Sequence, residues 1–254
     1  MSARAGLIRV PEVTAYFWVA KILTTALGES TSDYLVHTVN PYLAVIAGFV
    51  AFALAMTVQL RARRYITSVY WLAVTMVAVF GTMAADVVHI EFGVPYIVST
   101  ILFAVALVIV SASWYRSERT LSIHSINTSV RERFYWAAVL ATFAMGTALG
   151  DLAAYTAHLG FLTAGIVFAV VFALPGLAYR FLALNGILAF WLAYIVTRPL
   201  GASFADWTGK SRAAHGLGWG DGPVAFVLAA LLIAVVAYLG TTGKDRQAAA
   251  RVAR

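Results

Sequence analysis

The chain has 254 residues, 62% hydrophobic and 11% charged, with no cysteine and a formal net charge of +7. A soluble domain carries about 25% charged residues, so a mean hydropathy of +0.85 indicates an integral membrane protein and excludes the soluble basic module a nucleic-acid binder would need. Disulfides, thiol catalysis and Cys-ligated metals are excluded with the cysteines.

Apolar runs follow one another at about 13–36, 42–54, 65–85, 93–114, 136–149, 159–178, 181–197 and 223–239, each near the roughly 20 residues of a spanning helix. None alternates with period 2, as barrel strands do. The expected fold class is all-α transmembrane, with about eight spanning helices in a single membrane domain. The N-terminal run lacks a small-residue cleavage site, so no cleavable signal peptide is expected. Arg4 and Arg9 precede the first run, and Arg61, Arg63 and Arg64 follow the second. Arg116, Arg119, Arg131 and Arg133 lie between the fourth and fifth, Arg180 follows the sixth, and Lys244, Arg246, Arg251 and Arg254 close the chain. Fourteen of the eighteen basic residues thus fall on one side, which places both termini in the cytoplasm.

Four segments share one pattern: "FWVAKILTTALGESTSD" (17–33), "YWLAVTMVAVFGTMAAD" (70–86), "YWAAVLATFAMGTALGD" (135–151) and "FWLAYIVTRPLGASFAD" (190–206). In each, an aromatic precedes Trp (Trp18, Trp71, Trp136, Trp191). Gly follows ten residues later (Gly28, Gly81, Gly146, Gly201) and Asp fifteen later (Asp33, Asp86, Asp151, Asp206). Starts 53, 65 and 55 residues apart fit two helices per repeat, at about 13–64, 65–115, 130–180 and 181–240, with a cytoplasmic loop at 115–133 and a tail at 241–254. An even number of helices per repeat makes all four enter the membrane in the same sense, unlike inverted repeats.

At 1.5 Å per residue the Asp lies about 22 Å beyond its Trp and the residue four before it about 16 Å. With the tryptophans in an interfacial belt on the Arg-rich side, the aspartates fall in the outer third of a hydrocarbon core of about 30 Å and Glu29 near its middle. Positions i and i+4 share a helix face, which pairs the aspartates with Glu29, Thr82, Thr147 and Ala202. His37 extends the first series to Glu29, Asp33, His37, a candidate metal set whose oxygens and imidazole suit hard or borderline divalent cations. Thr24, Thr142 and Thr197, six residues after three of the tryptophans, offer further hydroxyls to a ligand or to the backbone. His37, His89 and His158 fall at the outer mouth. The glycines, with Trp18, Trp71, Trp136 and Trp191, read as helix-packing positions. Lys21 is expected to snorkel to the cytoplasmic interface. Arg198, beside Pro199 and Gly201, is the candidate internal counter-ion, with a broken seventh helix as a further expectation.

The loop "GLGWGDGP" (216–223) reads as a turn, having no preceding strand and no P-loop lysine. Ser32 and Ser203 lack nucleophile-elbow context, and no enzyme and no cofactor are expected. The runs "KILTTALGESTSDYL", "LSIHSINTSVRERFYW", "FAMGTALGDLAA" and "FWLAYIVTRPLGASFADW" resemble those of a family of uncharacterised bacterial integral membrane ("membrane-anchored") proteins. The resemblance implies a bacterial inner-membrane location and the same motif layer, and carries no substrate. The expected function is a permease for a cation, foremost a divalent metal, through Glu29, Asp33, Asp86, Asp151, Asp206, Thr82, Thr147 and Arg198. The alternative is a non-transporting scaffold or sensor whose polar layer fixes helix packing. Expected partners are the bilayer, a divalent cation or proton, and a second copy of the chain.

Overall fold

Polar residues at the ends of the apolar runs start the helices. Thr14 and Thr128 accept from Phe17 N and Arg131 N, while Asn40 and Asn185 each accept from two backbone N–H groups of the following turn. In a computed structural model describing residues 8–246, with the Ile90 side chain left aside, these caps open four of eight long helices. They are α1 (Ala15–Thr38), α2 (Pro41–Arg61), α3 (Thr67–Asp86), α4 (Tyr96–Glu118), α5 (Ser129–Asp151), α6 (Gly160–Phe181), α7 (Gly186–Gly209) and α8 (Asp221–Thr242). No strand occurs among the described residues. Arg4, Arg251, Arg254 and the tail beyond 246 lie outside them.

The motif helices α1, α3, α5 and α7 form an inner ring, each packed on the next and α7 closing on α1. The outer helices are displaced by one step: α2 packs chiefly on α3, α4 on α5, α6 on α7 and α8 on α1. Each repeat therefore hands its second helix to the following repeat, and the chain closes into a four-part cycle. Seven helices are long and apolar enough to cross a membrane, so this is a multi-pass membrane protein in contact with lipid. In α3 and α7, 61% of the apolar window is buried, against 11% in α4 and 17% in α8, which separates inner from outer helices. The eighth long helix, α1, is too polar for that set, yet every residue from Thr24 to Ser30 is buried. Protein, not lipid, surrounds its polar face.

The repeated residues make the cycle. The aromatic before each Trp meets the Trp of the next inner helix: Phe17 with Trp71, Tyr70 with Trp136, Tyr135 with Trp191 and Phe190 with Trp18, at centroid distances of 5.6, 5.6, 6.2 and 5.7 Å. Phe17, Tyr70, Tyr135, Phe190, Trp71 and Trp136 are buried, and the Tyr70 and Tyr135 hydroxyls share a 2.5 Å hydrogen bond. The aromatics face inward, as packing positions do, because each is the docking partner of a neighbouring repeat.

The glycines repeat the same step. A Cβ on Gly28 would stand 2.8 Å from the Ala78 backbone, on Gly81 3.4 Å from Phe143 Cβ, on Gly146 2.6 Å from Arg198 Cβ, and on Gly201 2.8 Å from Thr25 Cβ. Each partner is the residue seven after the next Trp. Gly28→Ala and Gly201→Ala are expected to destabilise the protein by about 1–3 kcal/mol, because backbone or a β-branched side chain must move. Gly81→Ala, at van der Waals distance, should melt close to the wild type. Thermal unfolding in detergent reads the difference.

The Arg-rich end is closed by residues 8–12. Tyr65 N donates to Ile8 O, Arg9 N to Ile126 O and Glu12 N to Asp245 O. Below them the fully buried Glu132 takes Arg9 at 2.5 Å and Gln59 Nε2 at 2.9 Å.

Candidate functional site

Along the axis of the inner ring, inward of the aromatic layer, lies Lys21. It is 1% exposed, and its Nζ stands 3.8 Å from the Phe143 ring centre and 4.2 Å from that of Tyr194. The snorkelling expectation is therefore corrected: Lys21 sits on the ring-facing side of α1, and the aromatic faces of α5 and α7 hold its ammonium.

Arg198, also 1% exposed, comes next. Its Nη2 donates to the Glu29 carboxylate and, at 2.5 Å, to Thr82 Oγ1, while Nη1 lies 3.5 Å from Thr25 O. Because α3 stands across the ring from α7, this side chain spans the axis and ties α7, α1 and α3 together. Its stem fits against Gly146, where a side chain would collide with it. Pro199 leaves α7 continuous from Gly186 to Gly209, so the expected break is absent. Thr25 Oγ1 braces this segment, donating to Thr197 O at 3.0 Å.

Beyond Arg198 the carboxylates of Glu29, Asp33 and Asp206 converge, each offering an oxygen within 4.8 Å of the other two. All three are buried. Asp86 and Asp151 are at the same level but partly exposed, outside that group. The charges of Glu29 and Asp33 nonetheless act on both. At Asp86 and Asp151 the α-helix passes into a π-helical turn, Val87–Glu91 and Leu152–Thr156, whereas α1 and α7 run on as α-helix. The π-turn thus follows the two acidic corners that stand outside the group, an irregularity that recurs at functional sites.

Lys210 completes the cluster and was not a sequence candidate. Its Nζ pairs with Asp33, and lies 3.9 Å from Asp206 and 4.0 Å from Asp221. The loop after α7 holds it there: Leu217 N, Gly218 N, Trp219 N and Gly220 N donate to the carbonyls of Trp207, Lys210, Thr208 and Gly209. The i,i+4 spacing of Asp206 and Lys210 was a usable signal, whereas Asp221 becomes a neighbour only through this fold-back. Burial works to lower the Lys210 pKa, and the carboxylates of Asp33 and Asp206 more than reverse it, leaving it above the ordinary lysine value.

Other candidates are placed elsewhere. His37 is exposed, with Nδ1 2.7 Å from the Asp33 carbonyl. It does not join the carboxylates, and Asp206 takes the third place in the group because α7 packs on α1. Thr147 donates to Phe143 O, and Thr24, Thr142 and Thr197 donate to the carbonyls three residues back. These hydroxyls serve the backbone. His89 lies against Val94 O and Ser99, and His158 occupies a turn with φ +55°. Two cavities open away from the carboxylates, one of 650 Å³ bordered by α1, α6 and α7 and one of 1130 Å³ between α3 and α8.

No curated protein and no solved structure matches the chain. Residues 16–65, 69–120, 134–183 and 189–245 match four copies of a family described as "Repeat of Unknown Function (DUF347)". Those four segments correspond to the four steps of the helical cycle, and the chain belongs to this repeat family.

Proposed function

We propose that the protein is a permease for a cation, foremost a divalent metal, in the bacterial inner membrane with both termini cytoplasmic. The observation that carries this reading is the convergence of Glu29, Asp33 and Asp206 inside the bundle. Oxygens 4.8 Å apart or closer suit a hard divalent ion, whose metal–oxygen distances run from about 2.0 to 2.6 Å. Among the described residues this end carries seven carboxylates (Glu29, Asp33, Asp86, Glu91, Asp151, Asp206 and Asp221) and the basic side chains of Arg198, Lys210 and Arg212, so the excess of acids favours cation entry from the side opposite the Arg-rich face. Arg198 and the aromatic layer obstruct the axis beyond. In this reading the arrangement is open to the outer side, and passage requires Arg198 to leave Glu29.

The scaffold or sensor reading draws on a different observation: Arg198 and Lys210 already pair with these acids, and Arg198 links three inner helices. Proteoliposomes separate the two. With Mn²⁺, Mg²⁺, Zn²⁺, Co²⁺ and Ni²⁺ offered in turn, the permease is expected to give saturable flux of one ion. That flux should be lost in Asp206→Asn while the melting temperature in detergent is kept. No flux with any ion, and no metal-dependent change in melting, would leave the scaffold.

A further inference from the structure

We propose that the groove between α3 and α8 binds a phospholipid of net negative charge from the leaflet on the Arg-rich side. The one-step displacement of the outer helices leaves α8 on α1 and only lightly touching α3. The resulting groove is the 1130 Å³ cavity, floored by Leu27 of α1. Its α8 wall runs from Ala229 to Thr241, a rise of about 18 Å, close to the roughly 15 Å of one leaflet's hydrocarbon. Leu72 and Ile233 on its rim are 52% and 67% exposed, so the groove opens sideways to the bilayer. Gly240 keeps it wide, since a Cβ there would meet nothing within 4 Å.

The mouth supplies the charge complementarity. Arg64 and Arg246 line it, and neither pairs with a carboxylate among the described residues. The N-terminus of α3 opens at the same place with no side-chain cap, because Ile66 occupies the cap position. Two guanidiniums and the positive end of a helix favour a phosphate, and a zwitterionic headgroup would bring its own ammonium against them. The corresponding groove one step back, bordered by α6 and α1, has His124, Tyr179 and Asn185 at its polar end and no arginine or lysine in its lining. Of these two grooves, the one between α3 and α8 carries the preference for negative lipid.

The test uses the full chain, delipidated in neutral detergent, titrated with dioleoyl phosphatidylglycerol or dioleoyl phosphatidylcholine, and read by native mass spectrometry and thermal melting. Phosphatidylglycerol is expected to remain bound and raise the melting temperature, and phosphatidylcholine to do neither. Arg64→Gln with Arg246→Gln should weaken retention by about tenfold or more while leaving lipid-free melting unchanged. Gly240→Trp, which fills open space, should abolish it. Equal retention of the two lipids, or unaltered phosphatidylglycerol binding in the arginine double variant, would overturn the proposal. So would a dimer mass abolished by Gly240→Trp, which would assign the groove to a second copy of the chain.

Discussion

Arg198→Met is expected to cost about 3–5 kcal/mol of folding stability, and Arg198→Met combined with Glu29→Gln to recover most of that loss. Both partners are buried, and removing one member of a buried ion pair leaves the other charge without compensation. Methionine retains a stem to lie against Gly146, where alanine would add a cavity and confuse the two effects. Glutamine removes the stranded charge at nearly constant volume. The double-mutant cycle therefore isolates the charge from the packing, read by denaturant or thermal unfolding in mixed micelles. A single variant that melts with the wild type would mean that water or Lys210 compensates Glu29, and that Arg198 is a movable plug and not a strut. Thr82→Val, which removes the neutral hydroxyl that accepts from Arg198 and donates to Ala78 O, should cost about 1–3 kcal/mol.

The fourfold repeat was legible in the spacing of Trp, Gly and Asp, because a fixed offset on parallel helices forces those residues to one level. What the spacing could not convey was the one-step handover. Whether Tyr70 faces lipid or meets Trp136 depends on the rotation of α3 within the ring, a property of tertiary packing that no single helix records. The error at Lys21 has the same origin, since the direction of its side chain depends on the rotation of α1 in the ring. Asp206 replaced His37 beside Glu29 and Asp33 because proximity within a helix is weaker evidence than contact across α1 and α7. Lys210 could have been suspected from Asp206, four residues before it. Its bond to Asp33 joins α7 to the neighbouring α1 and was invisible.

The cycle also shows why the chain needs four unequal repeats. A strictly symmetric ring would place four identical residues at each level of the axis. At the level seven after Trp the chain instead places Thr25, Ala78, Phe143 and Arg198, and at the level eleven after Trp it places Glu29, Thr82, Thr147 and Ala202. A long cation fits across the axis because Gly146 leaves room for its stem and a single acid, Glu29, meets its end. The common positions build the frame, and the unequal ones fill the interior.

Lys210→Gln provides the sharpest test of the carboxylate cluster under the permease reading, with an expected gain in divalent-ion affinity of about tenfold or more. The ammonium competes for the oxygens that would hold the metal. At 4 Å and an effective dielectric constant of about 20, such a charge is worth about 4 kcal/mol, reduced here because Lys210 is partly exposed. Its folded pKa lies above the ordinary value. The stability it contributes is therefore complete below the unfolded pKa of about 10.4 and is lost only as pH rises through the folded value. Between about pH 5 and 9 it does not titrate, so a metal displaces it by competition and not by deprotonation. Affinity measured from metal-dependent melting should rise in Lys210→Gln most clearly at the alkaline end of that window, because loss of the neighbouring ammonium also favours protonation of the carboxylates it faced at lower pH. An affinity that stays the same or falls, alongside a lower melting temperature, would show that Lys210 is there to hold α1, α7 and α8 together, and would move the weight of evidence to the scaffold.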